Sequence, residues 1–307
     1  MNIKKFTKIM LKIAGGVAIA GAFCMVVAFA MGLTTDGLKQ MVKDGKFSFD
    51  MYDLENKIII EISEDDSDKA KEDTGKEDTG VVLDESITVQ MNGDERIYTT
   101  SESFGNMNID FGAGLLDIHY DDVEEVEIHE KNIDGFEVDV KDNTLIVKNT
   151  LEVTLGDIDD MNNRSLVIVI PRDMALGEVD LDIGAAQADI DGISAKEVNI
   201  TIGAGQANVS NISADNMEME VGAGEATVSN LDATNLDVEA GLGQVTVEMC
   251  GAQTDYNYNV ECGMGNVVVG DHSYGGVGAE HHGNNHHADK LIDIECGMGE
   301  VVVKFMQ

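Results

Sequence analysis

Of 307 residues, 20 are Lys or Arg and 58 are Asp or Glu, a formal charge of −38, while 43% are apolar. So strong an anion repels phosphate backbones, whose affinity for protein comes chiefly from Lys and Arg displacing counterions, and this excludes DNA and RNA as partners. The apolar fraction suffices for a substantial core, and 33 Gly against the single Pro171, with no Trp, point to regular strands punctuated by glycine.

Residues 1–33 hold Lys4, Lys5, Lys8 and Lys12 and no acid, which leaves 16 basic and 58 acidic residues to the rest of the chain. Ile13 to Leu33 is a run of 21 uncharged residues. At about 1.5 Å per residue it can cross a hydrocarbon layer of about 30 Å. The lysines before it predict a cytoplasmic N-terminus over residues 1–12 and an extracellular position for the chain beyond Thr34. Because the run exceeds a usual signal core, residues 13–33 read as an uncleaved transmembrane anchor, although cleavage at Ala28-Phe29-Ala30 would release a secreted product. Phe23 is a poor neighbour for a lipidated cysteine, so Cys24 reads as a passive part of the span. Residues 34–82 follow as a juxtamembrane segment and stalk. Residues 34–61 show no convincing period, and residues 62–80, with KEDTG in tandem, bury too little apolar surface to offset the entropy of ordering.

The domain over residues 83–307 is organised by a repeat. FGAGLLDI at 111, IGAAQADI at 183, IGAGQANV at 202, VGAGEATV at 221, AGLGQVTV at 240, CGMGNVVV at 262 and CGMGEVVV at 296 share one frame, and four of them are spaced by 19 residues. A fixed period of this size predicts a solenoid whose coils bury their apolar faces on one another. Val198, Ile200 and Ile202 alternate with Asn199 and Thr201 before the glycines, as in a strand with one buried face. Ala207 and Val209 resume the apolar set beyond the corner. Stacking the copies gives inward columns of constant character: Ile109, Leu181, Ile200, Met219, Val238, Val260, Ile294; then Phe111, Ile183, Ile202, Val221, Ala240, Cys262, Cys296; and, past the corner, Leu116, Ala188, Ala207, Ala226, Val245, Val267, Val301. The predicted fold is all-β, an irregular parallel β-helix or related β-solenoid with regular glycine corners over 179–307. Residues 121–178 contain the strand-like runs FEVDV, TLIV and SLVIVIP without a corner, and are expected to form degenerate coils or a hairpin insertion.

The N-terminal anchor, the Ile170-Pro171 turn and the GAG and ECGMG coils resemble a bacterial family of adhesin-named proteins of unknown function, built on β-strand repeats and similar to the toast-rack domains of envelope-stress proteins. The resemblance covers roughly residues 100–307. It implies a location at the cell surface and supplies no catalytic residue.

The GxG copies are not phosphate loops, since Asn208, Thr227, Thr246 and Val268 stand where a third glycine is needed and strands follow in place of a helix. His129-Glu130 opens like a zinc-protease helix, but Ile133 stands where the second histidine must be. His281, His282, His286 and His287 lie in an insertion that stretches the corner spacing to 34 residues. Imidazoles of this kind chelate zinc, nickel or copper, or else simply line a polar loop. Cys262 and Cys296 share one inward column, where they read as free core thiols, a bridge between neighbouring coils being the alternative.

Outward, one column holds Asp110, Asp182, Thr201, Glu220, Glu239, Glu261 and Glu295, and the next Asn108, Asp180, Asn199, Glu218, Asp237, Asn259 and Asp293. Like charges about 4.8 Å apart repel, so Asp182, Glu220, Glu239, Glu261 and Glu295 are candidate ligands for weakly held Ca²⁺ or Mg²⁺ or for a cationic polymer; a solubilising face is the simpler reading. A third column, Gln187, Gln206, Glu225, Gln244, Asn266 and Glu300, reads as a structural side-chain ladder. No cofactor is implied. The expected function is that of a membrane-anchored, extracellular, non-catalytic binding or structural module with a cell-wall or surface partner. The alternatives are an envelope-stress signalling accessory, a scaffold joined end to end through an open C-terminal strand VVVKF, and a wall-polysaccharide enzyme.

Overall fold

The structure is a computed structural model and describes residues 86–133, 135–149, 163–275, 278–285 and 287–306. The basic N-terminus, the anchor and the stalk lie outside the described residues. Among the described residues no helix is long and apolar enough to cross a membrane.

Among the described residues, alternation of apolar and polar side chains builds nineteen strands. β1 (Ile87–Asn92) and β2 (Glu95–Thr100) form a hairpin, β3 (Asn106–Phe111) and β4 (Leu115–Asp121) flank the first glycine corner, and β5 (Glu127–Lys131) follows. β6 (Phe136–Lys141) turns into β7 (Thr144–Asn149) through Asp142 and Asn143 at φ 50° and 66°. That two-residue turn matches the twist of the strands it joins. β8 (Ser165–Pro171) and β9 (Leu176–Ile183) lead to three 16-residue strands, β10 (Gln187–Ile202), β11 (Gln206–Val221) and β12 (Glu225–Ala240). β13 (Gln244–Cys250), β14 (Tyr256–Cys262), β15 (Asn266–Val269), β16 (His272–Gly275), β17 (Ala279–Gly283), β18 (Lys290–Cys296) and β19 (Glu300–Met306) complete the domain.

The corners fold this continuous sheet into two faces. Strands before a corner make the first face, in the order β6, β7, β3, β9, then the C-terminal halves of β10, β11 and β12, then β18, β14 and β17. Strands after a corner make the second, in the order β1, β2, β5, β8, β4, the N-terminal halves of β10, β11 and β12, then β13, β19, β15 and β16. The middle is parallel and in strict 19-residue register, Gln187 beside Gln206 beside Glu225 and Ile202 beside Val221 beside Ala240. Each long strand passes from the second face to the first at Gly192, Asn211 or Asn230, with φ of 80°, 57° and 54°. Asn230 Nδ2 donates to Asn211 Oδ1 at 2.6 Å and Asn211 Nδ2 to Asp191 Oδ1 at 2.5 Å, so the bends carry their own amide ladder. Cys250 Sγ continues it on Asn230 Oδ1 at 3.1 Å.

One core runs the length of the stack and contains all three predicted inward columns, every member at most 3% exposed. Removing a Val, Leu, Ile or Met side chain from water contributes about 1.5–3 kcal/mol, so the columns carry the stability of the fold. β6–β7 is the hairpin expected between residues 121 and 178, while β7 and β8 form a coil beneath β3 and β4.

Three expectations are corrected. Glycine-rich corners suggest a backbone conformation reserved for glycine, but apart from Gly114, at φ 131°, the corner glycines are not at positive φ; a Cβ on Gly222 would instead stand 2.9 Å from the Gly203 carbonyl of the coil beneath. The second glycine is tighter still, for a Cβ on Gly224 would collide with the Gly205 carbonyl. Bare backbone lets the ladder run through the corner, Gly222 N donating to Ile202 O and Ala223 N to Gly203 O, both at 2.8 Å. Second, the coils do not stack in chain order. β18 and β19 insert between the 240 and 262 corners, with Gly297 N on Ala240 O at 2.8 Å and Gly263 N on Cys296 O at 2.7 Å. Third, the C-terminal strand is consequently no open edge, because β19 is flanked by β13 and, over Glu300–Val303, by β15.

Candidate functional site: an acidic face

Because side chains alternate along a strand, the first face presents two polar columns to solvent. The first reads Glu137, Lys148, Asp110, Asp182, Thr201, Glu220, Glu239, Glu295, Glu261 and Glu280. The second reads Asn108, Asp180, Asn199, Glu218, Asp237, Asp293, Asn259 and His282. Toward β3 the charges are interleaved with neutral or basic partners: Asn199 Nδ2 donates to Asp180 Oδ1 at 2.8 Å, Thr201 follows Asp182, and Lys148 adjoins Asp110.

Insertion of β18 removes that relief farther along. In chain order Asn259 would separate Asp237 from Asp293, whereas the fold sets Asp293 directly beside Asp237 and moves Asn259 one strand on. Glu218, Asp237 and Asp293 are therefore consecutive, alongside Glu220, Glu239, Glu295, Glu261 and Glu280. The Asp237 carboxyl responds most. Partial burial, then the charges of Asp293, Glu239, Glu218 and Glu295, push it up to about 6. Partial burial and the charge of Asp180 also raise Asp182, against Thr201 and Lys148, and burial with Asp182 raises Asp110. A hollow of about 220 Å³ opens on this face, lined by Asn199, Met217, Glu218, Leu236, Asp237 and Asp293 among others.

The five candidate carboxylates thus share a column, four of them consecutively and Asp182 beyond Thr201. They form a line and not a cage: among the described residues no group of three or more His, Cys, Asp or Glu side chains converges to hold a metal ion. The histidines do not gather either. His281 stacks on Tyr274 with ring centres 4.4 Å apart, His282 Nδ1 contacts Asn259 Oδ1 at 2.8 Å from the opposite side of β17, His287 is exposed, and His286 lies outside the described residues. Cys262 and Cys296 pair in register as buried free thiols, and burial with the neighbouring Cys262 pushes the Cys296 thiol up to about 12. The amide column is a ladder, with Gln206 Nε2 on Glu225 Oε2 at 3.3 Å and Asn266 Nδ2 on Glu300 Oε1 at 3.0 Å.

Sequence reasoning missed the Asp237–Asp293 contact, the extension through Glu280 and His282, and the pair of half-buried Arg96 with buried Glu130 at 2.5 Å. His129-Glu130 lies on β5, where Glu130 is 1% exposed and also accepts a hydrogen bond from Ile133 N at 2.7 Å. The alternation of β5 flags Glu130 as an inward acid in need of a partner. Nothing local marks the other contacts, which depend on strands far apart in the chain.

These features define an all-β repeat protein with an open, ladder-covered acidic face. Residues 53–290 match the Toastrack DUF4097 family, and the chain belongs to it. Among solved structures it is similar to a candidate cell adhesion protein from Clostridium sporogenes, with 14% identity, 71% of this chain and 100% of that one covered, and a TM-score of 0.39. It is also similar to a candidate adhesin from Parabacteroides distasonis, with 14% identity, 73% and 100% covered, and a TM-score of 0.36. A candidate lipid binding protein from the same species gives 13% identity, 70% and 98% covered, and a TM-score of 0.31. No curated protein matches the sequence.

Proposed function

We propose that the protein is a membrane-anchored, extracellular, non-catalytic binding module whose acidic face engages divalent cations or a cationic polymer of the envelope. The observation that carries this reading is the uninterrupted carboxylate block around Asp237, on an open sheet face, with that carboxyl held near 6. Such a surface repels itself, and a counter-charge relieves the repulsion along its whole length. Catalysis by paired carboxylates calls instead for two groups set across a substrate cleft with separate roles. The N-terminal lysines and apolar run support the anchor and the outward orientation.

The full chain in detergent is incubated with bacterial wall fragments. Retention without release of soluble sugar supports the binding module, and turnover overturns it. The same protein should melt higher in millimolar Ca²⁺ than in chelator at matched ionic strength, because a ligand that binds the folded form alone stabilises it. Glu220→Gln, Glu239→Gln and Glu261→Gln together should shrink that difference, and an equal response of parent and triple variant would place any cation site elsewhere. Protease added to intact cells should remove epitopes beyond residue 80 and spare the N-terminal lysines; full protection of residues 83–307 would refute the orientation.

A further inference from the structure

The corners carry a column of their own. The residue between the two glycines forms the tip of each coil, and the tips stack. Ala204 N donates to Gly184 O at 2.9 Å, Ala223 N to Gly203 O at 2.8 Å, Leu242 N to Gly222 O at 2.7 Å, Met298 N to Gly241 O at 2.8 Å and Met264 N to Gly297 O at 2.7 Å. Through the middle of the stack the tips are Ala185, Ala204 and Ala223, whereas in the next three coils they are Leu242, Met298 and Met264. Leu242 is half-buried, Met298 is 39% exposed and Met264 66% exposed. The turn itself does not need side chains of this size, because alanine closes the same corner in the coils beneath. Large apolar groups are also the ones that gain most from being covered. An apolar ridge of three rungs, about 10 Å long at about 4.8 Å per rung, thus runs along one edge of the domain.

The rim of the ridge is acidic. Glu239, Glu295 and Glu261 stand in one column beside it on the first face, and Gln244, Glu300 and Asn266 in the other on the second. Neither column holds a Lys or Arg in these coils. Spacing and charge together select the occupant. The rungs, about 4.8 Å apart, nearly match the 5.4 Å or so of one helical turn, so residues i, i+3 or i+4 and i+7 of a helix laid along the ridge meet the three tips in turn. Same-side residues of an extended strand, about 6.8 Å apart, fall out of step with them. An anionic lipid surface, or a second copy of this acidic chain, would bring like charge to the rim. Methionine, unbranched and polarizable, suits a surface that receives apolar side chains of varied shape. We propose that the ridge of Leu242, Met298 and Met264 docks a cationic amphipathic helix of another polypeptide, with its apolar stripe on the tips and its Lys or Arg side chains on the rim carboxylates. The proposal rests on the apolar tips and not on cation binding by the acidic face, so either can fail without the other.

The full chain in phosphatidylcholine nanodiscs, with isotope-labelled methionine methyls, is titrated with a synthetic helix bearing leucine at i, i+3, i+4 and i+7 and lysine elsewhere. The Met264 and Met298 methyl signals should shift to saturation while that of Met219, 0% exposed, stays in place. Met264→Ala and Met298→Ala together, which give both corners the residue that already closes the one at Ala223, should weaken binding at least about tenfold. A helix with glutamate in place of lysine should not bind. Absence of shifts at both methionines, undiminished binding to the double variant, or equal binding of the glutamate helix each overturns the proposal. Shifts produced by raising protein concentration alone, or by anionic lipid without peptide, overturn it too, and identify a second copy or a membrane as the occupant. Melting of the parent in Ca²⁺ and in chelator is measured alongside, and a missing Ca²⁺ response counts against cation binding by the acidic face alone.

Discussion

At the scale of single residues, the corner glycines matter for what they lack. Gly114 apart, their backbone is ordinary, but the neighbouring carbonyl occupies the place of a side chain, more severely at the second glycine than at the first in the corners at 202, 221, 240, 262 and 296. Gly224→Ala should therefore cost about 2–3 kcal/mol and Gly222→Ala about 1 kcal/mol, in the range of overpacked cores. Urea denaturation measures both, and equal costs would return the explanation to backbone conformation. Arg96 poses the opposite problem. Arg96→Ala removes the partner of a carboxylate that is 1% exposed and leaves it the hydrogen bond from the Ile133 amide. A cost of about 3 kcal/mol is expected from urea melts, since the buried Glu130 carboxylate is left without its counter-charge.

At the scale of elements, β19 is the informative strand. As the last described strand it looks dispensable, yet Val301 and Val303 are 0% exposed and it is hydrogen-bonded on both sides. Val303→Asp should cost about 4 kcal/mol or abolish folding, because it buries an unpaired charge within the stack. Met306→Asp, at the 38% exposed end of the same strand, should stay within about 0.5 kcal/mol. Comparable midpoints for the two in urea would mean that β19 does not lie inside the stack. The alternation of VVVKF makes the strand legible in the sequence. Its neighbours are not, because parallel pairing leaves a coil free to insert wherever its register and column chemistry fit, and the columns of the 240, 262 and 296 corners are nearly interchangeable.

At the scale of the whole molecule, the fold sets carboxylates of strands far apart in sequence side by side on one face. Asp237, ordinarily near 3.8 and here near 6, keeps a proton in the folded state that the unfolded chain has already released over that interval. Proton binding by the folded state in excess of the unfolded state makes stability fall as pH rises, so this group lowers stability between about pH 4 and pH 6. Asp237→Asn should flatten that slope and raise stability at pH 7 by about 0.5 kcal/mol, the scale of an exposed charge contact. Urea melts at pH 4.5 and pH 7 would reveal it, and an unchanged slope would remove Asp237 from the account.

The sequence by itself determined the all-β repeat, the inward columns, the two acidic columns and the family, because each rests on local alternation or on a 19-residue period that any stacked arrangement must respect. The tertiary structure alone decided the order of the coils. Inserting Asp293 between Asp237 and Asn259 turned an alternating column into a carboxylate block. Pairing of β2 with β5, likewise tertiary, gave Glu130 its arginine. The physical reason is that backbone hydrogen bonds and apolar columns fix how a coil stacks but not on which neighbour, and that choice is settled only when every strand competes for the same core.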